Sequence, residues 1–217
     1  MKEKFNKFKK SLGHFWEYYK WYAIVPILII IIIVSCISSY LENTRPISLS
    51  VALVNTNYAT TALASFQYDY TLEKGIDVDK EPVKVNTNLV HPSEINEDTL
   101  RDDGMIGNIQ RLQAMMQTEQ VDVFIGTDWV LKDYEKSDVF VDLRDIFSEE
   151  YLEEHKENIC YIPDSQENPL PIAMYLPKCK YLEEFHEQAV PVIAIPKNGQ
   201  RRERAIDFME WVIAGCE

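Results

Sequence analysis

The chain has 217 residues, a net charge of −13 and 46% hydrophobic residues. An acidic balance of this size excludes the basic footprint of a nucleic-acid-binding protein. The negative charge is unevenly spread. Residues 1–20 hold six lysines against Glu3 and Glu17, a net of +4, while residues 42–217 carry 16 basic against 33 acidic side chains, a net of −17.

The first twenty residues read as a basic amphipathic leader. Phe5, Phe8, Leu12, Phe15, Trp16 and Tyr19 recur at steps of three and four, one face of a helix, and most lysines fall off that face. Such a segment lies in the inner membrane interface with its lysines near anionic headgroups, or else binds a cytoplasmic partner helix. Phe15, Trp16, Tyr18, Tyr19, Trp21 and Tyr22 form an aromatic belt before the next segment.

That segment, Trp21 to Leu41, is an uncharged run, WYAIVPILIIIIIVSCISSYL, with five consecutive isoleucines at its centre. Its length matches the ~20 apolar helical residues that a bilayer core requires. Lysines on its amino-terminal side place that side in the cytoplasm. The expected topology is a single pass of the plasma membrane, with residues 42–217 outside. Long flanks favour an uncleaved anchor. Ile33-Val34-Ser35-Cys36 resembles a lipoprotein lipobox, so the alternative is cleavage with lipidation at Cys36.

Glu42 to Pro46 reads as a short tether. Beyond it the pattern alternates. Ile47–Val54 is a buried strand, Thr60–Leu72 a helix stopped by Gly75, and Val83–Val90 a half-exposed strand. Residues 105–118 form a helix, Val121–Ile125 a strand and Asp128–Tyr134 a short helix or turn. Phe140–Phe147 is a loop feeding a short helix, and Glu149–Glu157 a polar helix. Ile172–Leu176 and Val190–Ile195 are strands, and Gln200–Ala214 is the closing helix with Gly215 as its cap. This alternation predicts a three-layer α/β domain over 47–217 with a mostly parallel sheet.

Enzyme signatures are absent: there is no G-x-S-x-G, no H-E-x-x-H and no Walker loop. Glu183, Glu184, His186 and Glu187 offer one histidine and read as a solvated helix face. Asp77, Asp79 and Glu81 lack the glycine of a calcium loop, so no metal and no cofactor is expected. Arg201, Arg202 and Arg204 are expected to form local salt bridges. Cys160 and Cys179 flank the strand around Ile172 and are either a disulfide or free thiols; Cys216 is expected to be exposed.

The stretch Gln120-Val121-Asp122-Val123-Phe124-Ile125-Gly126, then Phe140-Val141-Asp142-Leu143-Arg144-Asp145, resembles bacterial extracellular solute-binding proteins. So do Val192 to Asn198 and the helix from Arg204 to Trp211. The aromatic-rich leader is similar to that of small membrane-anchored proteins of Firmicutes. The resemblance implies the fold of a single lobe of a type 2 periplasmic binding protein. It further implies a non-enzymatic binding or accessory role, with a transporter or complex subunit as partner. The alternatives are an interaction subunit with no small ligand, and a lipoprotein-type component of an ABC transporter anchored at Cys36.

An open α/β sheet binds ligands beyond the carboxyl ends of its strands. Here those positions hold Asn55, Thr56, Asn57 and Tyr58, then His91, then Thr127, Asp128 and Trp129. Asn57, Tyr58, Asp128 and Trp129 are the candidate ligand-binding set, chemically suited to a sugar or peptide through stacking and neutral hydrogen bonds. Turn chemistry alone also favours Asn and Asp at such places.

Overall fold

Strand β1, Leu49–Val54, is buried along its whole length and forms the centre of one half of a six-stranded sheet. The structure, a computed structural model, describes residues 22, 24–41, 46–55, 60–97, 101–134, 137–163, 168–177, 179, 182 and 190–216, with 60–66 by backbone alone. The chain divides into two units, Met1–Arg45 and Pro46–Glu217. In the first, α1 spans Ile24–Leu41 and is long and apolar enough to cross a membrane by length and composition, which a signal sequence would also be. The leader 1–20 and Glu42 to Arg45 of the tether lie outside the described residues.

The second unit is a three-layer α/β domain. Its remaining strands are β2 (Val83–Leu89), β3 (Val123–Thr127), β4 (Ile159–Pro163), β5 (Pro169–Tyr175) and β6 (Pro191–Ala194), in the order β2-β1-β3-β6-β5-β4. Its helices are α2 (Thr60–Glu73), α3 (Asp103–Gln117), α4 (Asp128–Lys132), α5 (Glu149–Glu154) and α6 (Arg202–Ala214).

The pleat sends alternate residues to opposite faces. Leu49, Val51 and Leu53 of β1 join Val123 and Ile125 of β3 in a core with Tyr70 of α2, Leu152 of α5, and Ala205, Phe208 and Val212 of α6. Ala52, Val54 and Phe124 face the other way, onto Leu112, Met115 and Met116 of α3 and Val130 and Leu131 of α4. Phe208 is fully buried, and a side chain of that size gains about 2–3 kcal/mol from leaving water. Tyr70 meets Phe208 edge-on at 4.8 Å and Trp211 at 5.2 Å, and its hydroxyl donates to Asp207. Burial, reinforced by the Asp207 carboxylate, pushes the Tyr70 hydroxyl well above the ordinary phenol range.

Local chemistry sets the helix ends. The Asp102 carboxylate accepts from the N–H groups of Gly104 and Met105, which starts α3 two residues ahead of its apolar stripe. Ser148 caps α5 through the Tyr151 N–H. Gly75, at φ +63°, closes α2 in the left-handed region that glycine enters at no steric cost. The expected helix over 149–157 breaks: α5 stops at Glu154, and Lys156–Asn158 is a separate 3-10 turn. Gly215 ends α6 in a right-handed conformation.

The sheet differs from the expected mostly parallel one. β1 pairs with β2 and β3 in parallel, but β3–β6, β6–β5 and β5–β4 are antiparallel. The β4–β5 connection, 164–168, holds five residues, whereas a parallel crossover needs a dozen or so. β4 is an element the sequence reading did not assign. It also decides the cysteine pair. Cys160 packs with the α3 and α4 core and Cys179 with the α6 core, so the sheet stands between them and they form no disulfide. Cys216 is half-buried against the α6 core rather than exposed.

Of the three arginines, Arg201 and Arg204 form salt bridges, and both reach carboxylates far away in the sequence rather than local ones. Asp122, with no exposed surface, receives the Ser50 N–H (2.8 Å) and the Arg201 guanidinium (3.2 Å) on Oδ2, and the Arg201 N–H (3.1 Å) on Oδ1. Arg201 Nε donates to the Ile47 carbonyl, and Arg204 pairs with Glu81. In Asp122→Asn the new NH2 faces N–H donors at whichever oxygen it replaces. This variant is expected to lose about 3–5 kcal/mol of stability. In urea melts of the full chain in detergent, the midpoint falls with an unchanged slope. A midpoint within error of wild type would show that the carboxylate does not hold these elements.

Candidate functional site

The carboxyl ends of β1, β2, β3 and β5 come together at one end of the sheet, and α4 starts there directly from β3. Asn55, the residue after β1, sits at φ +61°, where Asn is tolerated better than most side chains. Its N–H donates to the Leu89 carbonyl (2.8 Å), its side-chain amide to Thr127 Oγ1 (2.8 Å), and its side-chain oxygen accepts the His91 N–H (2.8 Å). Three strand ends are thus tied through one buried amide. Asn55, His91 and Thr127 are all buried, and their polar atoms satisfy one another as burial requires.

His91 extends the cluster onto α4. Its Nε2 lies 3.1 Å from Asp133 Oδ2, its Nδ1 lies 3.0 Å from the Pro92 carbonyl, and its own carbonyl accepts the Trp129 indole N–H at 3.4 Å. Trp129 is half-buried. On the other side of α4, Asp128 Oδ2 is 3.2 Å from Lys132 Nζ and accepts the Tyr175 hydroxyl at 3.4 Å. The Cys160 thiol lies beside Tyr175. Burial pushes the Tyr175 hydroxyl and the Cys160 thiol above their ordinary ranges, so both keep their protons at neutral pH. A protonated buried thiol is a poor nucleophile.

Of the four residues proposed from sequence, Asp128 and Trp129 stand at this end of the sheet. They turn to different neighbours: Asp128 toward β5, Trp129 toward the end of β2. Asn57 and Tyr58, with Thr56, lie outside the described residues, as do Glu183, Glu184, His186 and Glu187. Asp133 and Tyr175 belong to the same constellation and carry no site expectation from sequence, and Cys160, weighed there only as a disulfide partner, joins them. Their only signals were the i,i+4 spacing of Trp129 and Asp133 and the position of Tyr175 at a strand end. Tyr134, just past α4, holds a buried hydroxyl with no hydrogen-bond partner among the described residues. Burial, helped by Asp133, pushes it up to about 12.

Hollows also open on the domain, the first of them beside Tyr175 at this same end of the sheet. One of about 350 Å³ is lined by His155, Asn158, Met174, Tyr175 and Cys216, and one of about 430 Å³ by Phe147, Tyr151, Glu210 and Ile213. A third, of about 290 Å³, lies among Gln67, Tyr68, Thr71, Val78, Pro82 and Val83. Among the described residues no group of three His, Cys, Asp or Glu side chains could hold a metal ion.

The Asn55 bridge separates two contributions. Asn55→Gly keeps the left-handed backbone and loses both side-chain bonds. Asn55→Ala loses the bonds and adds a backbone cost of about 1–2 kcal/mol. Thermal melts should rank wild type above Gly above Ala. An alanine variant as stable as the glycine one would show that Asn55 does not hold that conformation.

No protein-family model matches the chain, and no curated protein matches its sequence. Among solved structures it is similar to the substrate binding domain of a molybdenum ABC transporter from Clostridium difficile. The TM-score is 0.37 at 13% identity, covering 77% of this chain and 93% of that one. At that score the likeness assigns neither ligand nor role to this chain.

Proposed function

We propose that this is a single-pass membrane protein with a non-enzymatic binding or accessory domain outside the cell. Residues 1–20 face the cytoplasm, 21–41 span the bilayer, 42–46 are the tether, and 47–217 are extracytoplasmic. The observation that carries the reading is one long, uncharged helix, apolar enough to cross a membrane, in the same chain as an acidic α/β domain. The lysines of the leader set the orientation. Lipids are partners through 21–41 and through the leader.

The ligand face is the carboxyl end of the sheet, with Asn57, Tyr58, Asp128 and Trp129 as its contacts and a sugar or peptide as its ligand class. The half-buried indole supplies a stacking surface. A single lobe leaves the ligand partly wet, so the expected affinity is weak, roughly 0.1–10 mM. A membrane transporter or complex subunit is the protein partner.

A second reading, an interaction subunit with no small ligand, is favoured by one patch. Tyr68, Leu72 and Val78 are 63%, 66% and 51% exposed, and Tyr68 and Val78 border the 290 Å³ hollow next to β2. Contiguous apolar surface of this kind suits a protein contact.

Membranes should retain the protein through alkaline carbonate, and protease added to spheroplasts should digest 42–217 while sparing the leader. Release by carbonate rejects the anchor. Cys36→Ala should leave mass and localisation unchanged; a wild type that is shorter and lipid-labelled would establish the lipoprotein alternative. Sugars and peptides should shift tryptophan fluorescence in wild type and not in Trp129→Ala. Silence across both classes, with a membrane protein co-purifying unless Tyr68 and Leu72 are changed to serine, would favour the interaction subunit.

A further inference from the structure

We infer that His91 is the positioning residue for Trp129, an inference that rests on reading the carboxyl end of the sheet as the ligand face. α4 has five residues, and its N-cap, Thr127, makes no side-chain capping bond; its hydroxyl accepts the Asn55 amide instead. A helix that short has no stability of its own and takes its orientation from its surroundings. Val130 and Leu131, both fully buried, set how deeply it sits. Polar contacts on two sides complete its setting: Asp128 meets the Tyr175 hydroxyl on one.

His91 lies on the other. Trp129 and Asp133 are four residues apart and so share one side of the helix. Both meet His91: the indole N–H at the backbone carbonyl, the carboxylate at Nε2. The remaining polar atoms of His91 anchor it to the sheet and to its own loop, the N–H at Asn55 Oδ1 and Nδ1 at the Pro92 carbonyl. The residue itself is only 4% exposed. His91 therefore transmits the position of the β1 and β2 ends to the indole that a ligand would stack on. It does not itself touch the ligand.

The test uses the full chain in detergent micelles, labelled with 5-fluorotryptophan. Four tryptophans give four fluorine resonances; Trp129→Phe identifies the one of interest, and Trp211 on α6 serves as the internal reference. Asp133 has a half-exposed side chain, so Asp133→Ala removes one of the two contacts without opening a core cavity. Its effect is read from relaxation of the Trp129 resonance by a soluble gadolinium chelate. Asp133→Ala and His91→Gln should each raise that relaxation about threefold, the mark of a local loosening, with Trp211 unchanged. Asp133→Asn, which keeps an acceptor, should restore the wild-type value. Trp129 relaxation unchanged in both Asp133→Ala and His91→Gln, with Trp211 also unchanged, overturns the inference. The measurement needs no ligand. If no sugar or peptide binds and Trp129 still loosens, the ligand reading fails while the positioning role stands.

Discussion

A carboxylate with no exposed surface sits where β1, β3 and α6 begin, and the domain is organised around satisfying it. A buried charge costs several kcal/mol unless every lone pair is used. Asp122 uses both oxygens on N–H donors from β1 and from the start of α6, and takes a guanidinium besides. α6 has no capping side chain of its own, so the negative charge that its amino terminus favours comes from the residue just before β3. Gly199 permits the approach, since a Cβ there would lie 3.2 Å from the Asp122 Cα. The last helix is thereby locked to the first strand, and β1 lies between β2 and β3. Displacing this end of β1 would carry Asn55, at its other end, away from Thr127 and His91.

Much of the amino-terminal half could be read directly. Apolar character interrupted only by Ser48 and Ser50 marked β1, alternation marked β2, and helical spacing marked the helix that buries Leu112, Met115 and Met116. The helices between these strands are long enough to return the chain for parallel pairing, and it pairs so. The carboxyl-terminal half resisted. Periodicity carries no strand direction, and β4 is five residues with a proline at its end, directly after a polar helix that seemed to run on to Glu157. Once β4 is overlooked, the short 164–168 connection is not recognised as a hairpin. The pleat parity that sends Cys160 to the α3 and α4 side of the sheet, away from Cys179, is lost with it.

At the strand ends, the position of the site followed from topology and its internal wiring did not. Asp128 and Trp129 fall where strand ends meet a helix, which residue order alone suggests. That Asn55 takes a left-handed backbone and spends its amide on Thr127 depends on three strands arriving in register. Tyr175 and Cys160 enter only because the antiparallel half folds them back beside α4. The carboxylate of Asp122 was legible as part of a D-V strand pattern, but its partner, Arg201, lies 79 residues away and no local pattern connects them.

The open sheet order leaves β2 and β4 at the margins, where unpaired main-chain groups invite a stranger's strand. Both margins are blunted. The Gln67 side chain covers the Val83 carbonyl, Lys84 is exposed, and β2 ends in a register shift with Asn88 at φ +58°. On β4 the hairpin closes with Pro163 opposite Pro169, neither of which can donate to a further ladder. For a domain proposed to be tethered to a surface, where neighbouring copies meet at high local concentration, these are the devices that keep one copy's sheet from annealing to the next.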